Sequence, residues 1–161
     1  MRKFQLAILV FILSVAFQQQ AQAQYYRTSL GLKFGGYNGI SAKHFINDVN
    51  ALEGLLSFGY GGFAITGLYE WNWVAFDTDG LGWYIGGGAH IGVWDNRPYR
   101  NDVFYEESGA FIGLDFIIGL EYTFEEIPLN LALDWKPAFD IIGDQGFWPG
   151  DVALGIRYAF Q

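Results

Sequence analysis

The 161-residue chain contains no cysteine, only nine lysines and arginines, two histidines and four prolines. Without cysteine neither a disulfide framework nor a thiolate metal site can be built, so stability must come from burial or from a closed hydrogen-bonded scaffold. The shortage of cations excludes a second class. Against seventeen acidic residues, there is no basic stripe to neutralise the phosphates of a nucleic acid. Charges of both signs amount to 16% of residues, below the ~25% of an ordinary soluble domain. Beyond residue 17, long apolar runs are missing as well. Glycine, proline or a charge breaks every stretch before it reaches the ~20 residues of a membrane helix.

What is present begins with Met1-Arg2-Lys3, an apolar run from Leu6 to Phe17, and a polar stretch closing on Ala21-Gln22-Ala23. Basic, apolar and small-residue regions in that order predict a secretory signal peptide over residues 1–23. The mature part, 24–161, is then one domain with seven basic residues against seventeen acidic, a net charge of −10. An exported chain that is 19% aromatic and rich in glycine must bury nearly everything or stay in a membrane. Without helices to cross it, a membrane can be spanned only by strands.

Strands place successive side chains on opposite faces, and the sequence alternates accordingly. In FIGLDFIIGLEYTF, residues 111–124, the even positions are all bulky and apolar, whereas the odd ones are Phe111, Gly113, Asp115, Ile117, Gly119, Glu121 and Thr123. A helix would set Asp115 and Glu121 more than about 100 degrees apart with no polar face. The same rule holds for Leu129, Leu131, Leu133 and Trp135 against Asn130, Ala132, Asp134 and Lys136. It also holds for Val152 to Phe160 against Ala153 to Ala159, and for Leu30, Leu32 and Phe34 against Arg27, Ser29, Gly31 and Lys33.

Turn signals at 37–39, 47–50, 60–62, 77–80, 96–108, 125–128 and 143–150 divide the mature chain into eight expected strands: 25–37, 39–46, 51–59, 63–76, 81–95, 109–124, 129–142 and 151–160. If the N-terminus is periplasmic, the short NDVN, DTDG and EEIP turns share its side. The long 96–108 and 143–150 connections then become extracellular loops, as in outer-membrane barrels. The fold class expected is all-β, an eight-stranded antiparallel up-and-down transmembrane β-barrel.

A water-soluble barrel would need a charged exterior, but the non-apolar face here is mostly small residues with scattered charges. The bulky face therefore suits lipid. Tyr25, Tyr26, Trp71, Trp73, Trp83, Trp94, Trp135, Tyr158 and Phe160 fall near strand ends, where membrane-interface girdles sit. Assigning the small parity to the lumen gathers Arg27, Lys33, Lys43, Lys136 and Arg157 with Glu53, Glu70, Asp115, Glu121 and Asp134, and with His90. Buried charges need partners, so this balance predicts a filled, salt-bridged core. Asp115 and Glu121, ~20 Å apart at ~3.4 Å per residue, are too distant for joint chemistry. Each is expected to pair separately, with Lys136 and Arg157 the first partners to check.

These features resemble the small eight-stranded outer-membrane β-barrel families of Gram-negative bacteria, the group of outer membrane protein X and the OmpA transmembrane domain. Gly155, Tyr158 and Phe160 look like the terminal-strand signal read by the barrel-assembly machinery. Ala153 and Gln161 depart from the usual pattern. The stretches GISAKHFINDVNALEG, GLYEW, YIGGGAHIGVWD and LALDWKPAFDIIGDQGFWPGDVALGIRY also look like a recurring group of uncharacterised barrels. The resemblance implies the bacterial outer membrane as location, with its lipid and lipopolysaccharide as surroundings and the assembly machinery as a partner during insertion.

No catalytic or metal-ligating set stands out, and no cofactor is expected. His90 lacks a matching serine neighbourhood, and the glycine-rich YIGGGAHIG neither ends in Lys-Ser/Thr nor opens a helix. DTDG lacks the later ligands of a calcium loop and reads as a tight turn. Arg97, Tyr99, Arg100, Phe104, Tyr105 and Trp148 are candidate extracellular contacts for a surface ligand. The expectation is a monomeric, non-enzymatic protein with a structural or surface-interaction role. A narrow, porin-like channel is the alternative, and a lipid-modifying outer-membrane enzyme ranks below it.

Overall fold

The computed structural model describes residues 26–59, 62–94, 98–99, 103–104, 109–143 and 146–160. The alternating segments form eight long strands: β1 Thr28–Gly35, β2 Asn38–Phe45, β3 Asn50–Gly59, β4 Gly62–Val74, β5 Leu81–Trp94, β6 Gly109–Thr123, β7 Leu129–Ile142 and β8 Gly146–Phe160. Each pairs antiparallel with its neighbours in sequence, and β1 pairs with β8 from Thr28↔Phe160 to Gly35↔Ala153, closing the barrel. No helix occurs among the described residues. Closure removes the sheet edge along the β1–β8 seam; only the start of β8, Gly146–Asp151, extends past β1 and pairs on one side alone.

The side chains are distributed inside out relative to a water-soluble domain. Leu30, Leu32 and Phe34 on β1, Ile65 and Trp71 on β4, and Leu114, Phe116 and Leu120 on β6 all point outward and are exposed. Ser29, Lys33, Ser41, Lys43, Glu53, Glu70, Asn130, Asp134 and Arg157 point inward and are buried. Glycine lets the wall close tightly. A Cβ on Gly31 of β1 would lie 2.0 Å from the Ile156 carbonyl oxygen across the β1–β8 seam.

One barrel end carries residue 26, Phe160 and the 46–49, 75–80 and 124–128 connections, and the other carries the remaining four connections. Within the longest of these, Pro98–Tyr99 and Val103–Phe104 form a two-residue ladder of their own. The 75–80 connection is the tight turn expected of DTDG, though Phe76 ahead of it and Asp77, its first residue, take positive φ values of 54° and 48°.

Three expectations are corrected. The first strand is shorter than 25–37, running from Thr28 to Gly35. Segment 143–150 is not one loop: β8 resumes at Gly146 and pairs Gly146↔Asp140 to Trp148↔Ala138. A bulge between Trp148 and Asp151 absorbs Pro149 and Gly150, because Pro149 lacks an N–H for the ladder and Gly150 takes φ +85°. Tyr26, assigned to an outer aromatic girdle, is instead buried inside the barrel.

Candidate functional site

The interior is layered. At the end holding residue 26 and Phe160, Tyr26, Phe45, Ala51 and Ala159 form an apolar floor, with Tyr26 and Phe45 meeting edge to face at 5.3 Å. Above it lies one continuous ionic network. Lys43 of β2 reaches Glu70 of β4 at 3.0 Å and Glu121 of β6 at 3.2 Å. Arg157 of β8 joins Glu121 at 3.4 Å to Glu53 of β3 at 3.1 Å. Lys33 of β1 continues it, from Glu53 at 2.9 Å to Asp134 of β7 at 2.8 Å. Seven charged groups from seven strands are thus tied across the barrel.

Neutral groups add further hydrogen bonds to these buried charges. The Arg157 guanidinium donates to Ser41 Oγ at 3.1 Å and to Asn130 Oδ1 at 3.2 Å. Lys43 Nζ donates to Asn72 Oδ1 at 2.6 Å and sits 4.2 Å over the Tyr84 ring, a cation–π contact. Tyr84 in turn donates to Asp134 Oδ2 at 2.8 Å, and Tyr26 to Glu121 Oε2 at 3.1 Å. Ser41 also donates to Glu53, and Tyr37 to Asp134.

Nearer the opposite mouth is a second, smaller cluster. His90 of β5 places Nδ1 2.7 Å from Asp115 Oδ2 on β6 and Nε2 2.9 Å from Asp140 Oδ1 on β7. Lys136 of β7 donates to the other Asp115 oxygen at 2.6 Å. Phe111 flanks the imidazole, its ring centre 5.4 Å away. A histidine acting as general base for a hydroxyl nucleophile needs one nitrogen facing that hydroxyl. Here both nitrogens face carboxylates. Among the described residues no group of three or more His, Cys, Asp or Glu is arranged to hold a metal ion.

The structure therefore brings Lys33, Lys43, Glu53, Glu70, Glu121, Asp134 and Arg157 into one network and His90, Asp115 and Lys136 into another. Asp115 meets Lys136, and Glu121 meets Arg157. Arg27 is a correction: it is exposed, not internal. The chain bends there before β1 begins, so strand parity no longer governs it, and Tyr26 fills the space below the network. Asp140, Asn72, Tyr84 and Asn130 are additional members. Asp140, Asn72 and Asn130 share the inward parity of a charged residue on their strands and Tyr84 that of His90, the signal by which all four are readable.

Gly155 lies inside, while Tyr158 and Phe160 lie outside with ring centres 4.9 Å apart at the end of β8. Trp148 is exposed, its indole N–H 3.3 Å from Asp151 Oδ2. Arg97, Arg100 and Tyr105 lie outside the described residues, as does the expected signal peptide; Tyr99 and Phe104 contribute backbone to the short ladder.

No protein-family model matches the chain, and no curated protein matches it by sequence. Among solved structures, it is similar to the N-terminal β-barrel domain of Pseudomonas aeruginosa OprF, with a TM-score of 0.59 and 17% identity. The match covers 86% of this chain and 100% of that one. The likeness is one of fold. The chain shares with the OprF domain a β-barrel fold, and the charged network inside is described by its own residues.

Proposed function

We propose that this chain is an exported outer-membrane β-barrel protein whose filled, salt-bridged interior makes it a structural or surface-interaction protein and not an enzyme. The observation that carries the reading is the inverted distribution of side chains: fully buried Lys33, Lys43, Glu53, Glu70 and Arg157 inside, and an outer wall of exposed Leu, Ile, Phe and Trp. Water would penalise that wall, whereas hydrocarbon would not, and a closed ladder leaves no backbone group to be satisfied by lipid. β4 to β8 have 13 to 15 residues each, enough for tilted strands that need ~9 to 11 to cross. The fold shared with an outer-membrane protein's barrel domain supports the location.

In this reading residues 1–23 are removed on export and the end with residue 26 and Phe160 faces the periplasm. Tyr158 and Phe160, outward at the end of β8, are presented to the assembly machinery. Segment 96–108, rather than 143–150, carries recognition of lipopolysaccharide or a surface ligand, and the barrel works as a monomer. Boiled and unboiled samples should migrate differently on a gel, and planar bilayers containing the protein should show no steady conductance. Equal migration would refute the barrel in membranes, and steady ion flux would replace the plugged reading with a narrow channel. His90→Ala should leave the lipid A profile of an expressing strain unchanged; an acylation pattern that depends on His90 would restore the enzyme.

A further inference from the structure

The outer wall is not uniform. On the outer wall from β5 to β8 runs an apolar groove of about 770 Å³, lined by Trp83, Ile118, Leu120, Leu133, Trp135 and Val152 and bordered at one end by Val74, the last residue of β4, and Phe76. Phe76 is 84% exposed, yet it is held at φ 54° in the left-handed region that bulky residues avoid. The turn is fixed from both sides: Thr78 N–H donates to the Ala75 carbonyl at 3.1 Å, and Thr123 N–H of β6 to the Gly80 carbonyl at 2.8 Å. Among the described residues nothing buries Phe76 to offset that conformation.

The charges on the two connections at this end of the groove have one sign. The 75–80 connection exposes Asp77 and Asp79, and the 124–128 connection, tied to it through Gly80 and Thr123, exposes Glu125 and Glu126. Neither connection contains a lysine or arginine. A molecule lying in the groove with its polar end here would meet four carboxylates, which favour a cation and repel an anion.

We propose that the groove is a site for one phospholipid with a cationic amine in its head, such as phosphatidylethanolamine, its acyl chain between Trp83 and Trp135 and its ammonium at Asp77, Asp79, Glu125 and Glu126. The inference rests on the membrane reading above, because only there is the outer wall in contact with lipid chains. Phe76 covers the chain where it emerges toward the head, which is the apolar contact the strained turn otherwise lacks. Anionic phosphatidylglycerol fits the same groove but not its charged rim.

The test is native mass spectrometry of the full mature chain refolded in detergent, with phosphatidylethanolamine and phosphatidylglycerol offered in equal amounts. The expected result is one retained lipid with a phosphatidylethanolamine preference of about fivefold, as a few partly screened ion pairs supply. Asp77→Asn/Asp79→Asn/Glu125→Gln/Glu126→Gln should bring the ratio close to unity. Phe76→Asn, a residue that tolerates positive φ, should weaken retention of both lipids while the barrel stays heat-modifiable. Equal retention of both lipids by the unaltered protein, or a ratio that survives the fourfold change, would overturn the site while leaving the barrel reading intact. A chain that is folded and monomeric without detergent would overturn both.

Discussion

Arg157 enters the barrel from β8 and makes contact with Ser41, Glu53, Glu121 and Asn130, residues on four other strands. Its removal would leave two carboxylates inside with fewer cations than before. Breaking a buried pair from one side costs about 3–5 kcal/mol, far more than deleting a surface ion pair. Arg157→Met is therefore expected to lower unfolding stability by that amount, read from urea titration of the refolded protein. Lys136→Met, in the partly open upper cluster where Asp115 keeps His90, should cost clearly less. A larger loss for Lys136 than for Arg157 would contradict this ranking. Phe76→Asn should move stability the other way, by about 1 kcal/mol, since it relieves a strained φ at an exposed turn.

Among the elements, the β1–β8 seam is decisive because it turns a curved sheet into a barrel. Gly31 faces inward beside it, and any side chain there meets the Ile156 carbonyl and the Arg157 Cα, the latter at 2.4 Å. Gly31→Val is expected to abolish the heat-modifiable form, and a gel shift identical to that of the unaltered protein would sink the argument. At β7 and β8, local signals and pairing disagree. The glycines at 143, 146 and 150 with Pro149 read as one long turn. The ladder with 138–140 nevertheless recruits 146–148, because backbone groups on an outer wall gain more from pairing than the segment loses to its poor strand propensity. Only Pro149 and Gly150 are left to the bulge.

For the molecule as a whole, the interior determines what can pass. An apolar floor, a seven-member ionic network and the His90 cluster succeed one another along the axis, and Tyr84, Leu68 and Ile117 pack together as a further apolar group. Eight strands enclose a space about wide enough for such side chains to fill. The absence of steady conductance in planar bilayers is the outcome expected at this scale. Glu53→Ala together with Arg157→Ala, which empties the middle of the network, should introduce measurable ion flux if the fold survives, as judged by gel migration. No flux from a folded double variant would mean that other side chains close the lumen.

The residues by themselves determined the architecture. An alternation of two over segments long enough to cross a membrane admits one buried and one lipid-compatible face, and a period of two has only one register that keeps charges inside. Parity also separated the interior ionisable groups from the outward apolar ones, apart from Arg27 at the bend just before β1. Beyond the expected meetings of Asp115 with Lys136 and Glu121 with Arg157, which cation meets which carboxylate was decided only by tertiary structure. Arg157 and Ser41, 116 residues apart, come within hydrogen-bond reach because closure brings β8 beside β1 and sets the stagger of every strand. The same closure brought Asp140 to His90, drew Tyr26 inside and juxtaposed Phe76 with the outer groove. None of these follows from local periodicity, since each depends on how strands remote in sequence align around a barrel.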